Sequence, residues 1–113
     1  MRSPITTHIL DTHLGKPARD VPIQLRELRD GSFVTIASGR TDDDGRISDL
    51  LPPGVVAPGV YQMRFDTDSY HSGLGIEGFY PEVVVTFEIK ASDEHYHIPL
   101  LLSPFAYSTC RGS

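Results

Sequence analysis

The sequence predicts an all-β sandwich of about eight strands with one short helix. Short runs rich in Val, Ile, Thr, Phe and Tyr recur along the chain, and clusters of Gly, Pro and Asp separate them at sandwich-like spacings. In the run from Val83 to Ile89, the residues Val83, Val85, Phe87 and Ile89 alternate with Val84, Thr86 and Glu88, so one face is wholly apolar and the other turns polar along the strand.

Strands are expected near residues 5–12, 21–28, 33–40, 46–49, 60–65, 82–89, 95–102 and 106–111. Turn chemistry falls at Gly15-Lys16-Pro17, Asp30-Gly31 and Asp44-Gly45. A short helix over residues 69–74 fits between Asp68 or Thr67 as its cap and Gly75 near its stop, and Pro81 restarts an extended segment. The run from Tyr96 to Leu102 is apolar on both faces past its histidines, which suggests that its second face is covered by another subunit.

With 113 residues, the chain is read as one domain over 1–113, large enough to bury about two-thirds of its unfolded surface without a metal or disulfide. The single cysteine, Cys110, excludes an internal disulfide framework, and no apolar signal region follows Met1, which points to the cytoplasm. No apolar run approaches the roughly 18 residues of a spanning helix. A net charge of −5 with scattered basic residues argues against a nucleic-acid surface, so the expected partner is a small molecule or another copy of the chain.

Several motifs carry no chemistry on inspection. The glycines of Gly73-Leu74-Gly75-Ile76-Glu77-Gly78 have dinucleotide-binding spacing, but no strand precedes them and no helix follows. In Asp42-Asp43-Asp44-Gly45, registering Gly45 as the turn glycine of a calcium loop puts Arg40 and Leu51 at ligand positions, which favours a hairpin turn. Ser113 lies in no nucleophile elbow.

The candidate chemical groups are imidazoles and guanidinia. Alternation puts His8 on the face opposite Ile5 and Ile9, while His95 and His97 share one face of their own strand, which sheet pairing or a subunit boundary can bring beside His8. Imidazoles near neutral pKa suit general acid and base work. The plain alternative is three surface or hydrogen-bonded histidines, and a second alternative is zinc, for which three imidazoles supply the ligand count but nothing else in the sequence speaks. Arg46 and Arg111 each fit either a salt bridge or a clamp on an oxygen-rich ligand. Polar groups ending a strand-like run, in Arg111-Gly112-Ser113, are expected to line a pocket.

Taken together, Thr7-His8-Ile9-Leu10-Asp11, Gly39-Arg40-Thr41-Asp42 with Gly45-Arg46, His95-Tyr96-His97-Ile98-Pro99-Leu100-Leu101-Leu102-Ser103-Pro104 and Arg111-Gly112-Ser113 resemble the transthyretin-related 5-hydroxyisourate hydrolases nearly end to end. The segments Gly15-Lys16-Pro17-Ala18 and Phe79-Tyr80-Pro81-Glu82-Val83 fit the same family. The resemblance implies a transthyretin-like β-sandwich of two four-stranded sheets and one short helix. It also implies a homotetramer with active sites at the dimer–dimer interface, hydrolysis of 5-hydroxyisourate, and no metal or organic cofactor. By the same resemblance His8, Arg46, His97 and Ser113 surround the substrate as catalytic residues, His95 stands behind them, and His8, Arg46, Cys110 and Arg111 bind substrate. The family has a tyrosine where this chain has Cys110, which implies a wider cleft lacking one phenol. The carrier transthyretin shares the fold but lacks this set of histidines, arginine and chain end. A small-aromatic-ligand carrier is therefore the alternative function, and a purely structural role leaves the chain end without a use.

Overall fold

The computed structural model describes residues 3–112, so Ser113 lies outside the described residues. The element order is β1 (Ile5–Asp11), β2 (Lys16–Pro17), β3 (Pro22–Arg29), β4 (Ser32–Arg40), β5 (Arg46–Ile47), β6 (Gly59–Phe65), α1 (Thr67–Gly73), β7 (Val83–Ile89), β8 (Tyr96–Ser103) and β9 (Ala106–Thr109). One sheet runs β4-β3-β6-β7. The other runs β2-β1-β8-β9, with β5 pairing β1 beside β2. All pairs are antiparallel except β1 with β8, which run parallel over seven residue partners.

The expected fold is therefore present, with local differences. Lys16–Pro17, read from the sequence as part of a turn, returns along the end of β1 as a two-residue strand, so this sheet has five strands rather than four. The strand expected over 46–49 is confined to Arg46–Ile47, and the Ser48 carbonyl instead accepts from the Ser3 backbone N–H.

Each element follows from local chemistry. At the β3–β4 hairpin, Asp30 and Gly31 both take positive φ, 50° and 82°, the paired left-handed geometry that matches the twist of the flanking strands. At Gly45, φ is +74° and a Cβ would run into the Ile9 carbonyl oxygen, so glycine alone lets the turn lie close enough to β1 for Ile9 N–H to donate to its carbonyl at 2.8 Å. The helix cap is Asp66 rather than Thr67 or Asp68. Its carboxylate accepts from Ser69 N–H at 3.0 Å and from the Ser69 hydroxyl at 2.7 Å, so the helix starts earlier than composition suggested.

The two sheets bury one apolar layer. Ile5, Ile9, Ile98, Leu100 and Leu102 from one sheet meet Ile23, Leu25, Tyr61, Met63, Phe65 and Val83 from the other. The alternation in β8 is strict, with Tyr96, Ile98, Leu100 and Leu102 buried and the residues between them more exposed. Truncating a filled position such as Phe65 to Ala would cost about 3–5 kcal/mol.

A polar cluster closes one end of this core. Asp11 is buried at the end of β1 and accepts from His13 and Leu14 N–H at 2.9 and 2.8 Å and from the Tyr70 hydroxyl at 2.6 Å, tying β1 to α1. Burial and this bond to Asp11 push the Tyr70 phenol well above its ordinary pKa. His71 beside it is 3% exposed, and among the described residues neither of its ring nitrogens has a hydrogen-bond partner. Desolvation holds its pKa below the ordinary imidazole value. Asp11 and Asp68 act to raise it, and His13 lowers it further.

Because the folded pKa of His71 is depressed, the unfolded chain takes up this proton first, and stability falls as pH drops through the ordinary imidazole pKa of about 6.5. Urea unfolding from pH 7 to pH 5 is expected to show a steeper loss of stability in the wild type than in His71→Leu. Equal slopes would contradict this account.

Candidate active site

The outer face of the five-stranded sheet is where the chemistry-bearing residues meet. On β1, alternation turns Thr6, His8 and Leu10 outward, and on β8 it turns His97, Pro99 and Leu101 the same way. The parallel register pairs Thr6 with His97 and His8 with Pro99, so the two imidazoles stand one diagonal step apart. On the other side of β1, β5 pairs Arg46 directly with His8. Strands from three separate stretches of chain thus bring His8, Arg46 and His97 onto one surface.

Arg46 is held at its backbone. Its N–H donates to the Asp42 carboxylate at 2.9 Å and its carbonyl accepts from Asp42 N–H at 2.9 Å, which closes the turn before β5. None of the ion pairs among the described residues involves Arg46. Asp43 instead pairs with Arg19 at 3.4 Å, and Arg40 pairs with Asp20 at 3.6 Å. The guanidinium is therefore not used to balance the acidic turn.

The His97 ring is bounded on two sides. The Thr6 hydroxyl lies 2.8 Å from His97 Nδ1 and 2.9 Å from His95 Nε2. On the opposite edge of the ring, Gly112 packs so closely that a Cβ there would sit 2.6 Å from His97 Cδ2, while its N–H donates to the His97 carbonyl at 2.9 Å. Thr6 was not singled out in the sequence, although the alternation that places His8 also puts Thr6 on the same face.

Arg111, expected to bind substrate, lies on the same cavity as His97 and Cys110. Its guanidinium stacks over the Tyr96 ring at 4.6 Å and pairs with Glu94 at 3.3 Å. Tyr96 belongs to the buried side of β8, and the stack on its ring anchors the segment that carries Gly112. Cys110 is an exposed free thiol. Together with His97, Arg111, Phe87 and Tyr96 it lines a cavity of about 330 Å³ between β7 and the β8–β9 hairpin, which neither His8 nor Arg46 reaches.

No group of three or more His, Cys, Asp or Glu side chains with the spacing of a metal site occurs among the described residues, so the three-imidazole zinc arrangement has no counterpart in the geometry. The glycine pattern from Gly73 lies at the end of α1 and in the loop that follows.

Comparison with known proteins agrees with this architecture. Residues 5–112 match the model of the HIUase/Transthyretin family. The chain is 44% identical over 109 residues to the 5-hydroxyisourate hydrolase of Salmonella dublin, covering 96% of this chain and 80% of that protein. Among solved structures, sea bream transthyretin in complex with thyroxine superposes with a TM-score of 0.91 at 35% identity, covering 97% of this chain and 95% of the other. The 5-hydroxyisourate hydrolase of Klebsiella pneumoniae superposes with a TM-score of 0.84 at 32% identity, covering 96% and 97%. A thyroxine-bound transthyretin and a hydrolase share this fold, so the fold alone does not separate ligand binding from turnover. With a family model spanning nearly its whole length and a relative this similar, the chain belongs to the HIUase/Transthyretin family.

Proposed function

We propose that this protein is a 5-hydroxyisourate hydrolase, a single domain over residues 1–113 that opens 5-hydroxyisourate to 2-oxo-4-hydroxy-4-carboxy-5-ureidoimidazoline on the route from urate to allantoin. The observation that carries the reading is the shared face of His8, Arg46 and His97, two imidazoles and a guanidinium in no ion pair among the described residues, in a chain of this family. A carrier of small aromatic ligands needs an apolar channel and has no use for this set.

The chemistry follows from the groups. One imidazole, His8 or His97, takes a proton from water as its oxygen attacks a ring carbonyl carbon. Arg46 binds the oxygen-rich ring and stabilises the negative charge that develops on the carbonyl oxygen. The tetrahedral intermediate collapses with cleavage of the ring C–N bond, and the proton held on imidazole passes to the departing nitrogen. One water is consumed and the imidazole is regenerated. Ser113, next in the chain to Gly112, is assigned the orientation of the water or a histidine. Cys110 and Arg111, which share a cavity with His97, are assigned to the substrate-binding wall on the His97 side of the site. The mechanism uses no cofactor.

The functional assembly in this reading is a homotetramer with its active sites between dimers. Two features support it. Leu10 and Leu101 stand 36% and 42% exposed on the same outer face as the candidate site, and β7 and β9 are edge strands of their sheets with one side unpaired among the described residues. Sedimentation is expected to give a mass near four times the 12.5 kDa chain. The proposed compartment is the cytoplasm, where a single exposed thiol stays reduced. No helix is long and apolar enough to cross a membrane.

The test is the ultraviolet decay of 5-hydroxyisourate made in situ from urate and urate oxidase, with a chelator control. Decay above the spontaneous rate is expected and should survive chelation. Activity should fall about 10²–10⁴-fold in His8→Ala, Arg46→Ala and His97→Ala variants that keep the wild-type mass. Full activity in all three would rule out the site, and saturable binding of an aromatic ligand without turnover would favour the carrier. Gly112→Ala, which must displace the His97 ring, is expected to lose activity with little change in urea midpoint.

A further inference from the structure

We propose that Thr6 is a positioning residue for His97: its hydroxyl sets which ring nitrogen of His97 holds the proton, using His95 as its second partner. This inference rests on the hydrolase reading and on two distances. Thr6 Oγ1 lies 2.8 Å from His97 Nδ1 and 2.9 Å from His95 Nε2.

A hydroxyl has one proton and two lone pairs, so it cannot donate to both ring nitrogens. At least one of the two must carry a proton and donate to Oγ1. The tautomers of His95 and His97 are therefore coupled through a single oxygen atom. For His97 to act as a base through Nε2, its neutral ring must keep its proton on Nδ1. That arrangement has Nδ1–H donating to Oγ1 and the Thr6 hydroxyl donating onward to His95 Nε2.

When Nε2 then takes a proton from water, Nδ1–H stays where it is. The bond to Oγ1 changes from neutral to charge-assisted as the ring becomes imidazolium, with no heavy atom moving. An interaction that strengthens as charge appears acts on the transition state more than on bound substrate, so it enters kcat rather than KM. Thr6 is also suited to hold a fixed point: it is β-branched, it sits within β1 in register with His97, and it is 6% exposed. Its neighbour Thr7 shows the ordinary use of a strand threonine, with a hydroxyl that donates to the Ile98 backbone carbonyl at 2.6 Å on the core side. Thr6 instead directs its hydroxyl to two imidazoles.

The experiment compares Thr6→Val, which keeps the shape and removes the hydroxyl, with Thr6→Ser, which restores it. Thr6→Val is expected to lower kcat about 10–100-fold with KM within about twofold, and Thr6→Ser to recover most of the rate. Two-bond ¹H–¹⁵N spectra of the imidazoles should show His97 as the Nδ1–H tautomer in the wild type and a shift away from it in Thr6→Val. Unchanged kcat in Thr6→Val, or a wild-type His97 in the Nε2–H form, overturns the proposal. If the wild type shows no turnover, the hydrolase reading fails by itself, and the tautomer spectra still decide whether Thr6 sets the ring. The wild-type spectrum decides equally if Thr6→Val does not fold.

Discussion

The parallel ladder between β1 and β8 is the constraint on which the site depends. These strands lie about 90 residues apart in sequence, yet their register fixes Thr6 opposite His97 and His8 opposite Pro99. Because side chains alternate with period two, a slip of one residue would send His97 into the core and bring Tyr96 or Ile98 to the outer face. The buried set of Tyr96, Ile98, Leu100 and Leu102, packed with Ile5 and Ile9, makes that slip costly. The apolar face of the ladder thus determines where the imidazoles on its other face stand.

Two secondary devices complete this arrangement. The Gly45 turn lies tightly enough against β1 for β5 to pair there, which is what brings Arg46 beside His8. At the other edge, the Arg111 stack on Tyr96 and its pair with Glu94 hold the chain end so that Gly112 closes on His97. The ion pair is exposed and adds little energy by itself, so the ring contact and the Gly112 bond to the His97 carbonyl do most of the holding. Away from the site, Asp11 joins β1 to α1 through Tyr70, which gives the aspartate of the His-Ile-Leu-Asp run a structural part.

Much of this was legible in the sequence where the signal is local. The alternation in residues 83–89, the Asp30-Gly31 hairpin and the outward face of His8 all follow from strand periodicity and turn chemistry. The misplaced elements are those where several polar residues compete or where pairing is very short. Asp66, Thr67 and Asp68 are all able caps, and the choice of Asp66 depends on Ser69 lying within reach of its carboxylate. Lys16–Pro17 has no strand signature of its own and is extended only because β1 offers it two backbone partners.

By itself, the sequence determined the strand-rich class, the faces along each strand, the turn glycines and the set of residues that marks the family, since all are carried by residue type and spacing along a single stretch. Tertiary structure alone decided that β1 and β8 run parallel in this register, that the Thr6 hydroxyl joins His95 to His97, and that Arg111 turns back onto Tyr96. The reason is physical: contacts between segments this far apart are set by which buried faces fit together, and no local spacing encodes that fit.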